Sequence, residues 1–167
     1  MGESCCRKLT YSSKSAEATQ ALGEALGRHV RAGDLIALVG PLGAGKTCFI
    51  TGLARGMGVS GRVASPTFIL ARTHPGPVPL VHADAYRIGP DELIDIGLEE
   101  WLRWAVVAIE WADRVMEVLP DERLVVELVM VPHGRRVTLC AQGDRGLQML
   151  EALSNEPARH RDLELAG

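Results

Sequence analysis

Eight residues decide most of what this chain can fold into: Gly40-Pro41-Leu42-Gly43-Ala44-Gly45-Lys46-Thr47. Before them runs Asp34-Leu35-Ile36-Ala37-Leu38-Val39, which reads as a buried strand; after them runs Cys48-Phe49-Ile50-Thr51-Gly52-Leu53-Ala54-Arg55-Gly56, which reads as a helix. Strand, glycine loop, helix is the setting in which G-x-x-x-x-G-K-[ST] wraps a phosphate. Glycines let the backbone close around an anion, because a Cβ would block the approach and forbid positive φ. Successive N–H groups then point into one concavity at the positive end of a helix dipole. Lys46 is expected to reach the outer phosphates and the Thr47 hydroxyl to ligate Mg²⁺. The expected fold is α/β: a three-layer P-loop domain, mostly parallel, with an antiparallel hairpin added.

At 167 residues the chain is expected to form a single domain with a core over about residues 8–154 and loose termini. A net charge of −3 does not mark a general nucleic-acid binder. Its four cysteines, Cys5, Cys6, Cys48 and Cys140, have neither C-x-x-C nor zinc spacing, so the expectation is no structural disulfide and a reducing, cytosolic setting. No apolar run approaches the length of a membrane span.

A short edge strand is expected near residues 8–12, then a helix over about 16–31 with Ala18, Leu22, Ala25, Leu26 and Val30 on one stripe. Residues 63–70 pass through Ser65-Pro66-Thr67 into a strand-like half. The segment from His74 to Pro79, with three prolines and one glycine, reads as a hairpin-like connection to a strand over 80–87. Two short acidic helices broken at Gly97 come next, then Ala105-Val106-Val107-Ala108-Ile109-Glu110, a continuous apolar run suited to a central parallel strand. Residues 123–131 and 135–140 read as a hairpin at one side, residues 146–153 as a closing helix, and the tail from Asn155 as loose.

A P-loop needs an acidic partner at the end of a neighbouring strand, for Mg²⁺ and for the attacking water. Asp84 and Glu110 both stand at the carboxyl ends of apolar strands, where ligands bind in open α/β sheets. His82, two residues before Asp84, faces the same side of the sheet and suits a hydrogen-bonding role. Thr67 is a candidate to close over the γ-phosphate, Trp111 to stack on a base or partner, and Arg87 and Arg135 to neutralise phosphate charge. The sole asparagine, Asn155, cannot supply the base-reading N-K-x-D of GTPases, which favours ATP. A small-molecule kinase and a nucleotide-gated adaptor without turnover remain open, since a P-loop alone does not separate binding from turnover.

The chain resembles the TsaE (YjeE) family, small bacterial P-loop ATPases of tRNA threonylcarbamoyladenosine synthesis. The matching pieces are Glu17-Ala18-Thr19 with Leu22-Gly23, Leu42-Gly43-Ala44-Gly45-Lys46-Thr47, Arg55-Gly56, Ser65-Pro66-Thr67-Phe68, His82-Ala83-Asp84-Ala85-Tyr86-Arg87, Glu92-Leu93 with Gly97, and Ile109-Glu110-Trp111. The resemblance implies that Lys46 and the loop at Gly43, Ala44, Gly45 and Cys48 hold ATP or ADP. It also implies that Thr47 and Glu110 ligate Mg²⁺, and that Asp84 and Thr67 serve hydrolysis. Ala16, Thr19, Gly134 and Arg135 would border the nucleotide. It further implies two protein partners, one of them the transferase that modifies adenosine 37. ATP hydrolysis, slow alone and stimulated by the partners, would reset that complex; tRNA is met only indirectly, and no membrane is involved. Pro41, Cys48, Ala83 and Ala85 depart from the family pattern. Proline gives no N–H to phosphate, and a thiol is a weaker donor than the usual threonine.

Overall fold

The computed structural model describes residues 6–61, 63, 70–156 and 159–166. The elements follow in the order β1 (Lys8–Ser13), α1 (Ala16–Gly27), β2 (Leu35–Val39), α2 (Lys46–Gly56), β3 (Ala71–His74), β4 (Leu80–Asp84), α3 (Pro90–Ile96), α4 (Leu98–Trp104), β5 (Val106–Glu110), β6 (Arg123–Val131), β7 (Gly134–Gln142), α5 (Gly143–Asn155) and β8 (Leu163–Ala166). Two 3₁₀ turns, Ala112–Arg114 and Met116–Val118, link β5 to β6. The eight strands form one sheet in the order β3-β4-β5-β2-β6-β7-β1-β8.

The middle of the sheet is parallel, because β4, β5, β2 and β6 run the same way. β4, β5 and β2 are buried on both faces and carry near-continuous apolar sequence, whereas β6 alternates between buried and more open positions. Alternation along β2 sends Ile36 and Leu38 into one core and Leu35 and Ala37 into the other. The first core is completed by Leu22 and Leu26 of α1, Phe49 and Leu53 of α2, and Leu150 and Leu153 of α5. The second is completed by Leu93 of α3, Leu98 of α4, and Ala112 and Val115 after β5. The result is the expected three-layer α/β architecture.

Helix α1 starts where Ser15 accepts the Ala18 N–H at 3.1 Å, a side-chain cap for an otherwise orphaned donor. It ends at Gly27, earlier than expected, with Arg28 as C-cap. Helices α1 and α2 lie almost backbone to backbone. A Cβ built on Gly23 would stand 2.1 Å from the Phe49 carbonyl oxygen, and one on Gly52 would stand 1.9 Å from that of Gln20. Gly27 and Gly56 meet the opposite backbone in the same way. Four glycines, two per helix, thus fix the seat of α2, and α2 begins with the P-loop lysine.

Several expectations are corrected. Strand β1 is interior, because the tail that was expected to be loose supplies β8, pairing Ser13 with Leu163 and Thr10 with Ala166. The first arm of the 123–142 hairpin is no appendage: β6 extends the parallel run beside β2. The strand expected in the second half of residues 63–70 lies almost wholly outside the described residues; the described strand there is β3, from Ala71, antiparallel to β4. The Sγ atoms of Cys6 and Cys140 are bonded, across Cα atoms 6.1 Å apart, against the expectation of no disulfide. The antiparallel register that sets Lys8 opposite Cys140 makes Cys6 its diagonal neighbour, a proximity that a separation of 134 residues hides in the sequence. No helix among the described residues is long and apolar enough to cross a membrane.

Candidate functional site

The P-loop connects β2 to α2 through three positions that only glycine accepts readily: Gly40, where a Cβ would stand 2.3 Å from the Leu128 carbonyl oxygen, Gly43 at φ 79° and Gly45 at φ 106°, the last the N-cap of α2. Lys46 folds back over its own loop. Its Nζ donates to the carbonyls of Gly40 at 2.6 Å and Pro41 at 2.9 Å, and lies 4.1 Å from the centre of the Trp111 ring. Burial pulls the Lys46 pKa down, while Glu110, Asp84 and Asp113 pull it up; the net shift is downward. An anionic ligand in the loop would oppose that shift and offer Nζ stronger, charged acceptors than two carbonyls.

Opposite the lysine stand two carboxylates. Asp84 ends β4 and Glu110 ends β5, and the parallel register sets them side by side. They are 7% and 4% exposed, a burial that carboxylates rarely reach unless something pairs with them. The Thr47 Oγ1 hydroxyl donates to Glu110 at 3.2 and 3.3 Å. Asp84 Oδ1 accepts the Tyr86 N–H at 2.8 Å, which turns the chain away from the strand end. His82 Nε2 lies 2.6 Å from Glu110 Oε2 in full burial.

Next to Glu110, Trp111 is the sole non-glycine residue with positive φ among the described residues, at 59°. A bulky side chain held there is strained, and such strain concentrates at functional sites. Its ring meets that of Tyr86 at 5.0 Å, and the Arg114 guanidinium covers Tyr86 at 4.7 Å.

These residues enclose a cavity of about 550 Å³, lined among others by Lys46, Thr47, Asp84, Arg87, Glu110 and Trp111. A second hollow of about 280 Å³ lies between β1, α1 and the β6–β7 turn, with Ala16, Thr19, Gly134 and Arg135 on its walls. Gly43, Gly45 and Cys48 line both, so the two flank the same stretch of the P-loop. Between them, the two hollows gather most of the sequence-predicted residues around the P-loop. Ala44 is the exception: its side chain is buried in the core, and only its backbone belongs to the loop. Thr67 lies outside the described residues.

The oxygens at the loop suit Mg²⁺. A hydroxyl and carboxylates are hard donors, and Mg²⁺ takes one or two protein oxygens and completes its shell with water and phosphate. Thr47 donates its proton to Glu110, which leaves the hydroxyl lone pairs free for a cation. No group of three or more His, Cys, Asp or Glu among the described residues is arranged to hold a metal by itself. The Thr47 hydroxyl and the carboxylate oxygens would leave most of an Mg²⁺ shell to water and phosphate.

Sequence reasoning missed two features here. Arg135 Nη2 donates to the Gly43 carbonyl at 3.0 Å, tying the β7 turn to the P-loop. The Trp111–Tyr86–Arg114 stack also escaped, because it depends on a left-handed residue that no spacing reveals.

Residues 13–137 match the sequence model of the family described as "Threonylcarbamoyl adenosine biosynthesis protein TsaE". The chain is 44% identical to the tRNA threonylcarbamoyladenosine biosynthesis protein TsaE of Streptomyces coelicolor, over 74% of this chain and 90% of that protein. It is 37% identical to the TsaE of Bacillus subtilis, over 94% of this chain and 98% of that protein. Among solved structures, YdiB of Bacillus subtilis superposes with a TM-score of 0.81 at 31% identity, over 92% of this chain and 99% of that one.

Proposed function

Because this chain belongs to the TsaE family, whose proteins act in tRNA threonylcarbamoyladenosine biosynthesis, we propose that it is an Mg²⁺-dependent ATPase that serves this modification through protein partners. The observation that carries the reading is the hydroxyl–carboxylate contact between Thr47 and Glu110, 3.2 Å, at the foot of a phosphate loop. A loop that only binds a phosphate has no use for a buried acid at that point.

The residues divide the work by position. The loop amides from Gly43 to Thr47 and the Lys46 ammonium hold the phosphates, with Nζ leaving the Gly40 and Pro41 carbonyls to do so. Bound between Thr47 and Glu110, Mg²⁺ would neutralise charge building on the phosphate oxygens. Asp84 keeps one carboxylate oxygen tied to the Tyr86 N–H, and the other is available to orient a water or its proton. Thr67 is kept as a hydrolytic residue on the family resemblance. The second hollow, walled by Ala16, Thr19, Cys48, Gly134 and Arg135, takes the nucleoside end. Hydrolysis resets a complex of two partner proteins, one of them the transferase acting on adenosine 37, and tRNA is touched only through them.

Phosphate release from ATP by the purified chain, alone and with the two partners, tests the reading, with Lys46→Ala as blank. Partner-stimulated release that the variant lacks supports it. Release indifferent to the partners overturns the partner-coupled part, and release equal in the variant overturns the site.

A further inference from the structure

His82 is wholly buried at the middle of β4. An apolar residue would fill this place at less cost, as Leu80 does two positions earlier on the same face, because a buried imidazole must be hydrogen-bonded to be tolerated. The register explains what the ring reaches. His82 stands opposite Ala108 on β5, and Asp84 stands opposite Glu110. With only a methyl group beside it, the imidazole lies diagonally across β5 and meets Glu110 Oε2 at 2.6 Å. Since a carboxylate accepts, Nε2 carries the proton; Nδ1 has no partner among the described residues. Glu110 is thus held from two sides, by the His82 ring and by the Thr47 hydroxyl.

We propose that His82 is a positioning residue for Glu110: its Nε2–H fixes one carboxylate oxygen, so that the carboxylate presents its remaining lone pairs toward Thr47 and the phosphate end of the cavity. This rests on the reading of Thr47 and Glu110 as the Mg²⁺ site. Hydrogen-bond partners behind a metal ligand orient it, and losing one costs about 10–100-fold in metal affinity or activity.

The test compares His82→Gln with His82→Asn in the full chain. The glutamine amide reaches about as far as Nε2 and donates an N–H, whereas the asparagine amide stops short of Glu110. Both bury a polar amide, so the comparison does not depend on retaining an imidazole. ADP affinity is measured by calorimetry in excess Mg²⁺ and again in EDTA, with a thermal melt of each variant. The expected result is that Mg²⁺ tightens ADP binding by the wild type. His82→Asn loses about ten-fold or more of that gain, His82→Gln keeps most of it, and the EDTA affinities of all three agree. Equal Mg²⁺ gains in the two variants overturn the positioning role, as does a folded His82→Asn with the wild-type gain. A wild type that binds ADP equally with and without Mg²⁺ overturns the metal assignment itself. The two failures are therefore told apart.

Discussion

Gly23→Ala probes the seating of the phosphate loop without touching a site residue. The new Cβ would stand 2.1 Å from the Phe49 carbonyl oxygen and 2.9 Å from the Leu53 amide nitrogen, about 0.9 Å inside the 3.0 Å that real Cβ atoms respect. Every obstacle is backbone of α2, so no rotamer change gives relief; the two helices must separate. Helix propensity favours the substitution by about 1 kcal/mol. Overpacking a rigid contact costs about 1–3 kcal/mol, and this one belongs at the upper end. The net is a loss of about 2 kcal/mol, or a fall in Tm of about 4–8 °C for a domain of this size. Because Lys46 opens α2, ADP affinity should fall with it. Thermal melts followed by circular dichroism, with ADP titrations alongside, read both effects. A Gly23→Ala protein that melts at or above the wild-type temperature would refute the close-packed helix pair.

Other substitutions probe the site and its frame. Lys46→Ala should weaken ADP binding at least ten-fold, since a charged hydrogen bond contributes about 1.5–3 kcal/mol; calorimetry at unchanged affinity would contradict the phosphate role. Glu110→Ala should blunt the Mg²⁺ dependence of nucleotide binding more than it lowers Tm, and a collapse in melting with intact Mg²⁺ dependence would make the residue structural. Arg145 holds Asp34 with two contacts of 2.7 Å and also donates to the His29 carbonyl, pinning α5 beneath β2. Asp34 is 2% exposed, so Arg145→Met strands a buried charge and should cost about 3–5 kcal/mol in urea unfolding. Burial, with the neighbouring His82 and Arg72, lowers the His74 pKa below 6.5. The unfolded chain then binds the extra proton first as pH falls, so stability drops below pH 6.5 by at most about 1.4 kcal/mol per pH unit from this residue. His74→Phe should flatten that slope in denaturant titrations at pH 5 to 7, and an unchanged slope would assign it elsewhere.

What the sequence made legible was whatever depends on local order. The phosphate loop, the strand ends at Asp84 and Glu110, the break at Gly97 and the closing helix each announce themselves through neighbours in the chain. The grouping of Lys46, Thr47, Asp84, Glu110 and Trp111 around one cavity followed from a general rule about parallel strands. What stayed hidden depends on register between distant segments. Residues 163–166, Leu-Glu-Leu-Ala, are too short a run to signal a strand; they become β8 by pairing along the free edge of β1. The parallel direction of β6 is invisible in a run that also makes a good hairpin arm. The Cys6–Cys140 link and the His82–Glu110 contact both arise from diagonal neighbours across strands. The side-chain period of two gave the face of His82, but not its partner.

The measurement that meets the account most directly is threonylcarbamoyladenosine formed on tRNA over time by the partner transferase complex, supplied with ATP and either this chain or its Lys46→Ala variant. If ATP hydrolysis by this chain resets that complex, product stalls near one equivalent of transferase with the variant and continues through repeated turnovers with the wild type. Sustained turnover with Lys46→Ala, at the wild-type rate, would contradict it.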